Sequence, residues 1–146
     1  MKKLTGKWIF DTNILIYALD ETSPYHSTTI PLFEFIKAGT LQGVVSTQNI
    51  SETVHVLYHG YKQPMQTITD RLEELLIGYS FETIAPLSTT IPLFFTLLHK
   101  QKKPQIYDTL LAATLIDNKI PQLITCNEKD FSSFKELTIY SPHSKT

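Results

Sequence analysis

Cysteine is almost absent: Cys126 stands alone in 146 residues. A lone thiol cannot close an internal disulfide, which excludes a small secreted design held by cross-links. Glycine is scarce too, five in all. They form no glycine-rich phosphate loop, which argues against a P-loop or Rossmann nucleotide site. Neither sign of charge dominates: 13 Lys and Arg stand against 14 Asp and Glu, a formal net charge of −1. Such a balance exerts no global pull on nucleic acid, so a polyanionic partner would need a local basic patch or bound cations. No apolar run approaches the roughly 20 residues of a membrane helix. The basic start, Met1-Lys2-Lys3-Leu4-Thr5-Gly6-Lys7, leads into a short apolar stretch that Asp11 and Asn13 interrupt. No signal-peptide core is therefore expected. Repeats, low-complexity tracts and Gly/Ser- or Pro-rich linkers are missing as well. The expectation is one domain over residues 1–146, in a reduced, cytoplasmic, soluble protein.

What is present is ordinary globular chemistry, 42% hydrophobic and 18% charged, at a length that buries about two thirds of its unfolded surface. Trp8-Ile9-Phe10 reads as a buried strand that stops at Asp11. A short helix follows from Asn13. The chain turns around Thr22-Ser23-Pro24. A helix is predicted over about Tyr25–Ala38, either kinked at Pro31 or starting there, with Gly39 as its stop. Gly43–Thr47 reads as a second buried strand, followed by a helix over about Gln48–Tyr58 that ends at Gly60. Met65–Ile77 is a further helix closed by Gly78, and Ser80–Ala85 a third strand. Ser88–Lys100 and Tyr107–Asn118 are helical and rich in apolar residues. Gln122–Thr125 is a fourth strand, Phe131–Phe134 a turn or short helix, and Leu137–Tyr140 a last strand. Strands alternating with helices predict right-handed βαβ units and an α/β fold with helices on both faces of a mostly parallel sheet. In such sheets ligands bind beyond the carboxyl ends of the strands.

Acids sit at those ends. Asp11 follows the first strand, with Asn13 two residues on. Glu52 lies in the helix after the second strand. Asp108 opens the apolar helix Tyr107–Asn118. Asn127, Glu128 and Asp130 follow the fourth strand. Each has a plain alternative. Asp11 and Asp108 suit helix N-caps, Glu52 a helix dipole, and Glu128 and Asp130 a turn. Crowded carboxylates repel and raise one another's pKa unless a cation neutralises them. Mg²⁺ or Mn²⁺ with oxygen ligands is the usual answer, and such ions activate water and stabilise a phosphodiester leaving oxygen.

Four stretches, in order and across most of the chain, resemble the motifs of PIN-domain nucleases, in particular the VapC-type toxins of toxin–antitoxin systems. They are Phe10-Asp11-Thr12-Asn13-Ile14-Leu15-Ile16-Tyr17, Ser46-Thr47-Gln48-Asn49-Ile50-Ser51-Glu52, Tyr107-Asp108-Thr109-Leu110-Leu111-Ala112-Ala113-Thr114, and Leu123-Ile124-Thr125-Cys126-Asn127-Glu128-Lys129-Asp130-Phe131. The resemblance implies a three-layer α/β/α fold with four to five strands. It implies a Mg²⁺- or Mn²⁺-dependent endoribonuclease that leaves a 5′-phosphate and a 3′-hydroxyl. Asp11, Glu52 and Asp108 would be the principal catalytic and metal-binding acids, and Asp130 the fourth. Asn13, Thr125 and Asn127 would orient ligands or water. Relatives often carry Asp where this chain has the neutral Asn127, so either Asp130 or Glu128 supplies the missing charge. The family also implies a homodimer and an antitoxin that covers the acidic pocket. Two rival readings are a non-catalytic PIN-like RNA-binding or scaffold module, and a phosphatase or flap-type DNA nuclease on a related site.

Around these motifs, His99-Lys100-Gln101-Lys102-Lys103 is the densest basic stretch. Its lysines, Lys100, Lys102 and Lys103, are expected to hold RNA phosphates at the rim of the pocket, or to be a solvated loop. His55 and His59 share a helix face without a third ligand, and His26, His99 and His143 look isolated. Cys126 lacks a partner base and reads as a small buried residue. Leu72, Leu75, Leu76 and Ile77, with Phe94, Phe95 and Leu98, offer core, a dimer face or a groove for a partner helix.

Overall fold

The computed structural model describes residues 4–144; residues 1–3 of the basic start lie outside them. In chain order the elements are β1 (Gly6–Phe10), α1 (Thr12–Leu19), α2 (His26–Lys37), β2 (Leu41–Ser46) and α3 (Thr47–His55). A π-helical turn (Val56–Gly60), α4 (Met65–Gly78), β3 (Glu82–Ile84), α5 (Thr90–His99) and α6 (Ile106–Asp117) follow. The chain ends with β4 (Gln122–Ile124), α7 (Glu128–Phe131) and β5 (Thr138–Tyr140).

The five strands are all parallel, in the order β3-β2-β1-β4-β5. The chain therefore walks outward from β1 to β3, then crosses back past β1 to β4 and β5. Because each crossover is right-handed, reversing the direction of travel moves the helices to the opposite face of the sheet. The core shows this in side chains. Trp8 and Phe10 of β1 pack with Val45 and Ile124 against Ile14 and Leu15 of α1 and Leu32 and Phe33 of α2. Ile9, between them, points the other way with Val44 and Leu123, against Leu97 of α5, Leu111, Ala112 and Leu115 of α6, and Phe131. A strand covered on both faces reads as a continuous apolar run, as Trp8-Ile9-Phe10 does. A third cluster, Ile16, Leu19, Leu57, Ile68 and Leu72, fastens α4 to the outer side of α1. Each fully buried side chain of this size stabilises by about 1.5–3 kcal/mol.

Three expectations need correction. The helix does not start at Pro31 but at His26, so Pro31 lies inside α2. Its missing N–H frees the Ser27 carbonyl, and Ser27 is exposed, so water can satisfy it. The single helix expected over Gln48–Tyr58 is α3 followed by the π-helical turn. That widening, closed by Tyr61 N–H donating to the Val56 carbonyl at 3.1 Å, is the kind of bulge found at functional sites. Finally, α4 runs through Gly78 and turns at Ser80, whose φ is +53°, whereas α2 closes at Gly39, φ +74°, as expected. Among the described residues no helix is long and apolar enough to cross a membrane.

Gly43 sits where β2 meets the ring of Phe81: an added Cβ would come within 2.5 Å of it. That ring packs edge-on against Phe10 and tilted against Phe33, which limits its retreat. Gly43→Ala is predicted to destabilise the fold by about 1–3 kcal/mol, an overpacking cost. The urea midpoint should fall with the m-value unchanged; an unaltered midpoint would refute the close approach.

Candidate active site

The strand order reverses at β1, so a crevice opens at the carboxyl ends of β1 and β4. The Asp11 backbone N–H, just beyond β1, donates to the Ile124 carbonyl at the end of β4 at 3.0 Å. The Asp11 side chain does two things at once. It caps α1, its Oδ1 accepting from Thr12 N–H at 2.8 Å. It also takes a bond from Asn49 Nδ2 at 3.1 Å, while its Oδ2 accepts from the Thr125 hydroxyl at 2.6 Å. The capping reading is borne out, and it leaves the same carboxylate free to take the two further donors. Asp11 is buried, and burial pushes its pKa up, against the lowering effect of these donors; Glu52 adds to the rise.

Each donor is itself held. Asn49 is fixed by Ser46, the N-cap of α3, whose hydroxyl accepts from Asn49 N–H at 3.0 Å and donates to Asn49 Oδ1 at 2.7 Å. Thr125 accepts from Asn13 Nδ2 at 3.5 Å and from Asn127 N–H at 3.0 Å. Asn13 Oδ1 accepts from Cys126 N–H at 3.2 Å, tying α1 to the loop after β4. Glu52 receives Thr12 Oγ1 at 2.9 Å and Gln48 Nε2 at 3.0 Å; the same Gln48 amide donates to the Tyr107 carbonyl at 3.0 Å. Asp108 lies in the first turn of α6; with the Gln105 amide turned so that its nitrogen faces these oxygens, Gln105 donates to Asp108 Oδ2 at 3.0 Å and to the Asp130 carbonyl at 3.2 Å.

Asp11, Glu52 and Asp108 line one cleft of about 400 Å³, with Thr12, Asn13, Asn127, Ile16, Val56, Tyr17 and Tyr61. Among the described residues, no Lys, Arg or His lines it. The consequence falls on Asp108, whose pKa is pushed up to about 6 by burial first, then by the charges of Asp130, Asp11 and Glu52. Asp130 is not in the cleft itself. It lines an adjoining hollow with Glu128 and Cys126, and Asn127 borders both. Of the two candidate acids, Asp130 bears on Asp108 and Glu128 bears on Cys126. Burial, helped by Asp11 and Glu128, holds the Cys126 thiol up at about 12, far from a thiolate.

The three lysines do not reach the cleft. Lys100 is the C-cap of α5 and faces a groove with Leu97, Gln101, Phe134 and Glu136. Lys102 and Lys103 are exposed on the loop that leads to α6. Sequence reasoning missed Asn49, Gln48 and Gln105, the amides that aim the acids. Ser46 and Asn49, three residues apart at a helix start, carried the one legible signal, a side-chain cap. It also missed Tyr17, Tyr61 and Val56, which the π-helical turn and the packing of α1 bring to the cleft. His26 and His143 are not isolated: His26 Nδ1 donates to the Tyr17 carbonyl at 2.8 Å, and the His143 ring lies 5.9 Å from that of Tyr17.

Among the described residues, no group of three Asp, Glu, His or Cys side chains is placed to hold a metal ion. Mg²⁺ does not need one, since it keeps several waters and takes one or two carboxylates. An open cleft of hydrogen-bonded, mutually repelling oxygen donors fits such a hydrated divalent ion.

A family model described as the PIN domain matches residues 8–137. The chain belongs to the PIN-domain family. The PIN model takes in all the motif acids from Asp11 to Asp130. No curated protein sequence matches significantly. Solved structures do. A chain of VapBC2 from Rickettsia felis, bound to a promoter DNA fragment, is 18% identical, with a TM-score of 0.70, over 93% of this chain and 98% of that one. A chain of VapBC-1 from nontypeable Haemophilus influenzae is 18% identical, TM-score 0.71, over 95% and 100%. VapC20 from Mycobacterium tuberculosis, described as a sarcin–ricin-loop-cleaving toxin, is 10% identical, TM-score 0.65, over 87% and 95%. These likenesses establish the shared PIN fold.

The Asp108 shift predicts a pH signature in metal-free protein. A carboxyl whose folded pKa lies above its unfolded value stabilises most when protonated, and that stability is lost as pH rises through about 6. Asp108→Asn should therefore raise the melting temperature at pH 7.5, with the gain shrinking toward pH 5. A gain independent of pH would remove the repulsion argument.

Proposed function

We propose that this PIN-domain protein is an endoribonuclease that hydrolyses RNA phosphodiester bonds with Mg²⁺ or Mn²⁺, acting as the toxin of a toxin–antitoxin pair. One observation carries the reading: Asp11, Glu52 and Asp108, from distant parts of the chain, line a single cleft. Asp11, Glu52 and Asp108 would hold the divalent ion, with Asp130 adding negative charge beside Asp108. Such an ion, when bound, supplies an acidified water and positive charge for the phosphate oxygens.

The chain's own residues prepare that chemistry. Thr125, Asn49 and Thr12 N–H keep the Asp11 carboxylate pointed and solvated by fixed dipoles. Thr12 and Gln48 aim Glu52, and Gln105 aims Asp108. Asn13 pins the loop carrying Asn127. Ile16 and Val56 give the cleft an apolar wall. Lys100, Lys102 and Lys103 are proposed to hold RNA phosphates outside the cleft, along the approach to α6.

The fold likeness to VapBC chains supports the toxin reading. So do the apolar side chains left exposed on both sides of the sheet. Ile77 on α4 is 70% exposed, and Phe95 on α5 and Ile106 and Tyr107 on α6 are 54%, 58% and 74% exposed. Patches of this kind suit a second copy of the chain and an antitoxin. A non-catalytic PIN-like scaffold is the second reading, favoured by the neutral Asn127 at the cleft.

Wild-type protein is expected to cleave single-stranded RNA in Mg²⁺ or Mn²⁺ and to stop when a chelator is added. Asp11→Asn should lower kcat at least 100-fold while circular dichroism stays unchanged. Equal cleavage by both proteins, or none by either, would favour the scaffold; preference for DNA would favour the flap-nuclease alternative. Replacing Lys100, Lys102 and Lys103 together by Ala should weaken RNA binding and flatten its dependence on salt, each lost phosphate contact reducing the slope by about one.

A further inference from the structure

Two tyrosines eight positions apart and a histidine more than a hundred positions on meet beside the cleft. Tyr17 lines the cleft with the three acids. Its ring centroid lies 4.9 Å from that of Tyr25, tilted 45°, and 5.9 Å from His143, edge-on. Tyr25 and His143 are 4.7 Å apart. The cluster is not closed into the core: Tyr25, at the start of α2, is 44% exposed. His143, on the segment after β5, also lines the adjoining hollow of about 420 Å³, together with Asn127, Lys129 and Asp130. The rings therefore bridge the two hollows, and Asn127 borders both. Burial holds the His143 pKa below its ordinary value, so the ring is neutral at pH 7. Its Nε2 is shut off from solvent and has no partner among the described residues.

The chemistry of this rim differs from that of the cleft. The cleft repels phosphate unless a cation intervenes. Flat, neutral rings offer what an acidic surface can give a nucleic acid without a cation, a stacking surface for an unpaired base. Tyr25 is the solvent-exposed ring of the three, Tyr17 and His143 pack against it, and Lys129 lines the same hollow as His143, where it could meet a flanking phosphate. We infer that Tyr17, Tyr25 and His143 form a nucleobase-stacking subsite on the rim of the acidic cleft, which takes an unpaired base of single-stranded RNA next to the scissile phosphate. This rests on the nuclease reading for its substrate, but its test does not.

The test is a titration of isotope-labelled full-length protein, free of metal, with the four nucleoside 5′-monophosphates and with ribose 5-phosphate as a control lacking the base. Nucleotides are expected to shift the amide and ring signals of Tyr17, Tyr25 and His143, and ribose 5-phosphate is not. Tyr25→Ala should abolish the shifts and lower affinity for single-stranded RNA roughly tenfold, the loss of one stacked base. Tyr25→Trp should restore both. Equal shifts from ribose 5-phosphate, no shifts at all, or shifts that survive Tyr25→Ala would overturn the subsite. The last two outcomes would leave the rings as a device for holding the C-terminal segment or an antitoxin peptide. Because the titration needs neither metal nor turnover, it separates the two readings. A chain that cleaves nothing yet shows base-dependent shifts loses the nuclease and keeps the subsite. A chain that cleaves RNA yet shows none does the reverse.

Discussion

A carboxylate out of water is expensive unless fixed donors replace its hydration. Asp11 is such a group, buried where β1 meets β4, and three donors replace the lost water: Thr12 N–H, Asn49 and Thr125. The rest of the site is organised around keeping those donors in place. Ser46 fixes Asn49, Asn13 and the Asn127 N–H engage Thr125, and the start of α1 presents Thr12. Burial still wins over these bonds, since Asp11 titrates above its ordinary value. Glu52 and Asp108 then add like charge across the same cleft. The arrangement costs stability in the free protein, and a bound cation would relieve it.

The sheet makes this arrangement possible. An all-parallel sheet with helices on both faces leaves its carboxyl edge as the natural place for polar side chains. The reversal of winding at β1 separates the helices there and opens the crevice. Four segments distant in sequence, after β1, in α3, at the start of α6 and after β4, end at that edge. None of them needs strain to do so. Asp11 and Ser46 cap helices, and Asp108 sits in the first turn of α6, where helix ends favour them for ordinary reasons. The proposed function would use positions that folding already prefers to fill with short polar side chains.

Charge is balanced over the whole chain and unbalanced over its surface. The cleft is acidic, and the three lysines between α5 and α6 lie outside it. Under the proposed function, contact with RNA would be divided by chemistry: cation-mediated at the acids, ionic at the lysines, and stacked on the rings of Tyr17, Tyr25 and His143. Neutral stacking next to an acidic cleft avoids the repulsion that a phosphate would meet there.

Sequence by itself determined the alternation of strands and helices, because each carries its own periodicity, and it marked Asp11, Glu52 and Asp108 by their places after a strand or at a helix start and, more decisively, by the resemblance of their motifs to those of PIN-domain nucleases. It also bounded α2 at Gly39, where the backbone needs a positive φ. Tertiary structure alone decided the rest. That the charge of Asp130, and not that of Glu128, bears on Asp108 depends on how a single helical turn is seated. The lysines beside Asp108 in sequence fell away from it, because Lys100 ends one helix and Asp108 starts the next. Gln48, Asn49 and Gln105 look like any polar helix residues until the acids they aim are in place. Tyr17, Tyr25 and His143 share no pattern, since 118 positions separate Tyr25 from His143 and only the return of the chain after β5 brings them together. Periodicity and capping are local and survive in one dimension; which side chains meet depends on the path of the whole chain, which a sequence holds only through its fold.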